Sequence, residues 1–191
     1  NMIYRSHITE AQQIKWFESI NNFYNFYYLI THNDLPIGLI SDKNMDWENL
    51  SSEAGLFVWE QEYIKSIIPG LATLILIEMG FEILKWNKTK IKVLSKNKEV
   101  LSYNKQIGFK ITNEVKGVSH LELDRNSYLN NTRKKIVSIS KLYQNEPLVL
   151  TILKQNKTIN DKISEILKEY NLNIERLEAE NNFIYRHKFN V

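Results

Sequence analysis

The least polar run of the chain, EYIKSIIPGLATLILIEMGFEIL from Glu62 to Leu84, admits three chemistries: a membrane span, a buried helix, or a helix whose free N-terminal N–H groups hold a phosphate. A span needs about 20 apolar residues, whereas this run carries Pro69, Gly70, Glu78, Gly80 and Glu82. Glu78 and Glu82 stand one turn apart on a single face. The run therefore reads as an amphipathic helix from about Pro69 to Lys85, with Pro69 in the first turn, where its missing N–H costs nothing. Leu71, Leu74, Ile75 and Met79 are expected on the sheet side, and Glu78 and Glu82 in water.

Other reactive types are few. Cysteine is absent, which excludes disulfides, thiolate catalysis and cysteine-ligated zinc or iron–sulfur sites, and fits a reducing compartment. His32 falls in a turn, and His120 and His187 fall on strands without spacing to further ligands, so no metal is expected. The one basic cluster, TRKKIVSISK, has no aromatic-rich motif beside it and reads as a solvated helix end, not a nucleic-acid site.

The 191 residues, 43% hydrophobic, suffice for one main core and a small extension. The net charge of +3 is unevenly placed: residues 1 to 130 carry 14 Lys+Arg against 15 Asp+Glu, and 131 to 191 carry 11 against 7. The N-terminus NMIYRSHITE lacks the basic patch and apolar run of a targeting signal, from which a cytoplasmic location is expected.

The elements that must position these residues follow from periodicity. TEAQQIKWFESI sets Ile14, Phe17 and Ile20 at helical spacing behind a Thr cap with Gln three residues on. FYNFYYLITHNDLPIGLISDKNMDW reads as two strands around HNDLP, and EAGLFVW as a strand apolar enough to be central. TKIKVLSKN is a strand, KNKEVLSYNKQIG a short helix closed by Gly108, and FKITNEVKG with VSHLELDR a hairpin turning at Lys116-Gly117. The order is that of an α+β domain with a helix crossover. Beyond it, NNTRKKIVSISKLYQ and TINDKISEILKEYNL are helical, the second with Ile159, Ile163, Ile166, Leu167 and Tyr170 on one face. PLVLTIL is ambiguous, and NFIYRHKF alternates as a strand.

The element order, with ITEAQQIKWFESI, PIGLISDKNMDWENLSSEAGLFV and VLSKNKEVLSYNKQIGF, resembles the GNAT acetyltransferases over roughly Met2 to Arg125. The likeness is greatest to the branch that N-acetylates nucleotide-linked amino sugars, as in pseudaminic-acid synthesis; the same branch also serves ribosomal-protein N-termini. The resemblance implies a mixed central sheet with flanking helices, acetyl-coenzyme A between the AGLFV strand (Leu56, Phe57, Val58) and the IKVLS strand, and an amine acceptor opposite. Family members usually begin with a further strand, so the expectation is either that an N-terminal piece has been cut away or that the first strand is missing. In the family the loop after the AGLFV strand carries glycines in a Q/R-x-x-G-x-G/A spacing that bring backbone N–H groups to the pyrophosphate. Aligned without gaps from Glu53, those positions fall on Lys65, Ile67 and Pro69, with Gly70 displaced by one. Lys65 supplies a full charge in place of the lost dipoles.

By the same resemblance Glu53 stands where a carboxylate serves the amine, and the N–H groups of Phe57 and Val58 polarise the thioester if the strand bulges. Asn97 corresponds to an Asn that contacts the pantetheine arm, and is equally a helix cap. The Tyr that commonly donates the proton is replaced by Asn104; its neighbour Tyr103 lies about 100° around the helix. His7, Trp16 and Trp47 lie in segments that line the acceptor side, although core packing competes for Trp16. The expected activity is acetyl transfer from acetyl-CoA to a small-molecule amine, that of a nucleotide-linked amino sugar, with no metal, nucleic acid or membrane involved. The alternatives are protein N-terminal acetylation and a GNAT-like binding domain without catalysis. Residues 1–130 form the acetyltransferase-like domain. Residues 131–191 are expected to form a small α/β appendix docked on it or on a second copy in a homodimer, with TRKK in solvent.

Overall fold

A computed structural model describes residues 8–142, 148–153, 161, 165, 174–179 and 182–187. Helix α1 (Glu10–Ile20) opens with the expected reciprocal cap between Thr9 and Gln12. Strands β1 (Phe26–His32), β2 (Leu35–Asp46) and β3 (Ser51–Val58) follow, then helix α2 (Ile68–Glu78), which continues into a π turn over Met79–Ile83. Strand β4 (Lys88–Leu94), helix α3 (Lys98–Gln106) and the hairpin β5 (Lys110–Val115) to β6 (Val118–Asp124) complete a six-stranded sheet of order β1-β2-β3-β4-β6-β5. All neighbours are antiparallel except β3 and β4. The turns of the β1–β2 and β5–β6 hairpins each place two residues at positive φ, Asn33-Asp34 and Lys116-Gly117. That geometry matches the right-handed strand twist, and Asn, Asp and Gly tolerate it best.

The chain then forms a short helix α4 (Arg125–Ser127), a π turn over Tyr128–Thr132 and helix α5 (Arg133–Leu142). Strands β7 (Leu148–Leu153), β8 (Ile174–Ala179) and β9 (Asn182–His187) make a separate antiparallel sheet of order β7-β9-β8. PLVLTIL is therefore a strand, and β8 is one that periodicity did not reveal. Of the expected second tail helix only Asp161 and Glu165 are described, both helical; its stripe of Ile159, Ile163, Ile166, Leu167 and Tyr170 lies outside the described residues. Among the described residues no helix is long and apolar enough to cross a membrane.

Helix α2 is apolar nearly all round because it serves two core clusters. Leu76 and Met79 pack with Ile30, Ile37, Ile40 and Trp86, while Leu74, Ile77 and Phe81 pack with Val93, Leu121 and Leu123 from the far half of the sheet. Gly80 is required here: a Cβ would stand 2.6 Å from Trp86 Cδ1. The Trp86 indole N–H in turn donates to buried Asp42 at 2.8 Å.

Two expectations for α2 are corrected. Ile75 is 42% exposed rather than packed on the sheet, and Glu78, expected in water, is 3% exposed. Residues that follow β6 cover the stripe expected to face water. The Tyr128 hydroxyl donates to Glu78 Oε2 at 2.5 Å, its ring stacks on Phe81 at 4.5 Å, and Arg133 pairs with Glu82 at 2.8 Å. Burial and the Glu78 charge push the Tyr128 hydroxyl far above its usual range, so it remains a donor. TRKK is likewise only half in solvent: Thr132 is buried, donating to the Ile107 carbonyl, and Arg133 is held by Glu82, while Lys134 and Lys135 are exposed. Tyr128 and Ile136 belong to the second core cluster, so this packing runs past residue 130.

Tyr128→Phe keeps the stacked ring but removes the donor to a buried carboxylate. It is expected to destabilise the protein by about 1.5–3 kcal/mol, measured as a lower midpoint in urea or thermal unfolding. An unchanged midpoint would mean that the Glu78 contact contributes nothing.

Candidate functional site

β3 and β4 pair over only three rungs, Ser51↔Lys88, Ser52↔Thr89 and Glu53↔Lys90. The partner on the other side of β3 does not let go: β2 stays in unbroken register from Lys43↔Glu53 to Gly38↔Val58. Beyond Glu53 the two parallel strands therefore have separate neighbours, and a gap opens between Ala54–Val58 and the end of β4. Residues of an antiparallel strand bond alternately to either side. The Trp59 N–H donates to the Ile37 carbonyl at 3.1 Å, which assigns Gly55 and Phe57 to β2 and turns the backbone groups of Leu56 and Val58 toward the gap. An unbulged strand cannot aim two successive N–H groups the same way. The expected pair Phe57 and Val58 is thus replaced by Leu56 and Val58, with the Phe57 N–H engaged by β2. The Leu56 and Phe57 side chains are exposed.

The open ends of β3 and β4 lead into α2 and α3, and ligands of open α/β sheets bind outside the carboxyl ends of such strands. Helix α2 starts at Ile68, so Gly70 sits in its first turn. The Ile68 N–H donates to Ser66 Oγ, the Leu71 N–H to the Ile67 carbonyl, and Pro69 has none. Among the described residues at this helix start, the Ile67 and Gly70 N–H groups find no acceptor within the chain. Lys65 is exposed in the preceding loop. The Tyr103 hydroxyl donates to the Gly70 carbonyl at 3.0 Å, and burial pushes it up to about 12. Asn104 is buried and donates back to the Val100 carbonyl at 2.8 Å, and Asn97 caps α3 by accepting from the Val100 N–H at 3.3 Å.

On the other face of the sheet, Glu53 lies between two lysines, 3.2 Å from Lys43 Nζ and 2.7 Å from Lys92 Nζ. Burial alone would raise its carboxyl, but the bonds and charges of Lys92 and Lys43 outweigh it and hold Glu53 below the usual carboxylate range. Burial, and then the Glu53 charge, raises the Tyr27 hydroxyl, and Trp16 meets that ring edge-on at 5.6 Å while remaining 45% exposed. Trp47 belongs to the packing instead. It stacks on Phe23 at 4.4 Å, stands 4.9 Å from Trp86 and donates its N–H to the Phe23 carbonyl. His7 lies outside the described residues. Lys43 and Lys92 escaped the sequence reading because their pairing with Glu53 depends on strand register; the alternation of Lys88, Lys90 and Lys92 in KTKIKVL was the available signal. Among the described residues no cluster of acidic or histidine side chains could hold a metal.

No protein-family model matches the chain, and no curated protein does. Solved structures share its fold. The Campylobacter jejuni N-acetyltransferase PseH in complex with acetyl coenzyme A is 24% identical over 61% of this chain and 79% of its own, with a TM-score of 0.51. The Vibrio cholerae spermidine N-acetyltransferase in complex with CoA and spermine is 15% identical over 66% of this chain and 82% of its own, with a TM-score of 0.58. The mixed six-stranded sheet with flanking helices is the fold that this chain shares with these two N-acetyltransferase structures.

The lysine clamp makes a pH test. Glu53 should titrate below the ordinary value of about 4.3, and its contribution to stability, present above that pH, should fade as pH drops through the folded value. In Lys43→Ala/Lys92→Ala, burial is unopposed and the carboxyl should rise above the ordinary range. Side-chain carbon NMR titration reads both, and an unmoved midpoint in the double variant would dismiss the clamp.

Proposed function

We propose that the chain is an acetyl-CoA-dependent N-acetyltransferase acting on the amine of a small molecule, an amino sugar on a nucleotide carrier. The observation that carries this reading is the three-rung stop of β3 against β4. An unpaired strand edge offers N–H and C=O groups at regular spacing, and the amides of a pantetheine arm match it as an added strand would. Leu56 and Val58 then supply the donors, one of them available to a thioester oxygen as it gains charge. The Gly70 N–H and the Lys65 ammonium face a pyrophosphate.

The acceptor assignment rests on charge. Glu53 is neutralised twice over, and Lys90 adds to the positive side, so a polyamine would meet net repulsion here while a nucleotide diphosphate would be attracted. Trp16 over Tyr27 offers an aromatic surface to a sugar ring or base. Held ionised, Glu53 accepts hydrogen bonds from the incoming amine and is a weak base for removing its proton.

A second reading, a domain that binds coenzyme A without catalysis, draws support from α3. The position four residues before Gly108 is Asn104, and the neighbouring Tyr103 hydroxyl already donates to the Gly70 carbonyl, so neither stands ready to reprotonate a thiolate.

Titration calorimetry with acetyl-CoA and mass spectrometry of product amines separate the readings. Acetylation of a nucleotide-linked amino sugar in preference to spermidine and to peptide N-termini is expected. Binding without transfer to any amine would favour the second reading, and no binding would defeat both. Lys65→Ala is expected to weaken acetyl-CoA by about 1–3 kcal/mol, and an unchanged affinity would remove Lys65 from the site.

A further inference from the structure

We infer that the outer edge of β1 is a dimer interface, at which β1 pairs antiparallel with β1 of a second copy of the chain about a two-fold axis at Leu29. The main sheet ends in β1 on one side and β5 on the other, and the two edges are built differently. Strand β5 carries Lys110 and Glu114, and its register with β6 skips Thr112, so the extra residue of a bulge lies on the edge strand itself. Charges and bulges on an edge strand oppose pairing with another chain. Strand β1, FYYLITH, has neither device: it holds no Lys, Arg, Asp, Glu or Pro. Where its register with β2 shifts, the extra residue is Ile37 of β2, whose carbonyl is taken by the Trp59 N–H. Among the described residues no strand pairs with the outer side of β1, which leaves an uncharged seven-residue edge with its backbone groups open.

Apolar side chains accompany that edge. Helix α1 buries none of its residues; Trp16 meets Tyr27 of β1 edge-on, and Ile14, Trp16, Phe17, Tyr24 and Leu29 all stand about half exposed. Taking ~200 Å² for a whole aromatic side chain, Trp16, Phe17 and Tyr24 alone leave roughly 300 Å² in water. With Ile14, Leu29 and the strand edge added, this approaches the ~800 Å² that a standard interface takes from each partner. A second copy fits such an edge because the strand complements itself. About an axis at Leu29, Phe26 faces His32, Tyr27 faces Thr31, Tyr28 faces Ile30 and Leu29 faces its own copy. These are aromatic and branched pairs of the kind that stabilise neighbouring strands, with no like charges opposed. Two-fold closure then consumes both β1 edges and leaves the guarded β5 strands at the ends of the joined sheet.

The chain has no cysteine, so a single introduced thiol reports contact with a second copy without background. Leu29→Cys sets two thiols across the axis on opposed residues whose Cα atoms stand about 4.5–5.5 Å apart, a separation that a disulfide spans. Sedimentation equilibrium of the wild-type chain is expected to give twice the mass of one chain. Mild oxidation of Leu29→Cys should yield a covalent dimer, and Val115→Cys, at an exposed position of β5, should not. Leu29→Lys should return the mass to that of one chain with the circular dichroism and urea midpoint retained, while Val115→Lys leaves the dimer intact. A wild-type chain that sediments as a monomer or as open-ended aggregates overturns the inference. So does a dimer that survives Leu29→Lys or that cross-links through Val115→Cys. Should Leu29→Lys fail to fold, oxidation of Leu29→Cys decides alone, and the lack of a covalent dimer refutes the β1 contact.

Discussion

The parallel contact of β3 with β4 ends at Glu53↔Lys90, and everything that makes a site here depends on that ending. A parallel pair cannot be closed by a tight turn, so the chain must cross over between the two strands, and helix α2 is that crossover. The β3 strand is kept straight by β2, and β4 by β6, so the sheet opens along one line without fraying. The result is an unpaired edge inside the sheet, with the starts of α2 and α3 at its mouth. Most proteins hide or blunt such an edge. Here it is left beside exposed Leu56 and Phe57, as a strand that still has room for a partner.

Keeping that line open requires rigidity on both sides, and α2 supplies it by belonging to two cores. One of its sides packs under β1 and β2, the other under β4 and β6. Its single buried carboxylate, Glu78, is satisfied from outside the crossover unit by Tyr128. The two π turns meet at this point, bringing Phe81 and Tyr128 into parallel stacking. Such a stacked pair contributes about 0.5–1.5 kcal/mol beyond its buried area. The first helical segment after β6 thus completes the sheet's helical layer.

The two faces of the sheet carry opposite chemistry. The helix-covered face is apolar apart from satisfied groups such as Asp42 under Trp86. The other face carries Glu53 with Lys43 and Lys92, and Lys88 with Glu122, a cationic surface in which each carboxylate is already matched. A ligand arriving there meets net positive charge, and one lying in the gap meets backbone dipoles.

Much of the fold was legible in the sequence because its determinants are local. The Thr9–Gln12 cap, the Asn33-Asp34 and Lys116-Gly117 turns, the alternation of β6 and the start of α2 near Pro69 are set by residues within a few positions of one another. The tail strands were less legible: PLVLTIL fits either period, and β8 declared itself only by pairing with β9. The order of elements also carried the likeness to acetyltransferases. The site was read only in outline. Leu56 rather than Phe57 faces the gap because β2 stays in register, a fact of pairing and not of composition. Glu53 is a clamped anion because Lys43 and Lys92, distant in sequence, lie across it. Glu78 is buried because Tyr128, fifty residues on, covers a stripe that periodicity assigned to water, and Tyr103 reaches Gly70 because α3 packs beside α2. The sequence by itself determined which segments form helices, strands and turns; the tertiary structure decided which backbone groups remain free and which charges are paired, because those depend on register and packing between segments that share no local signal.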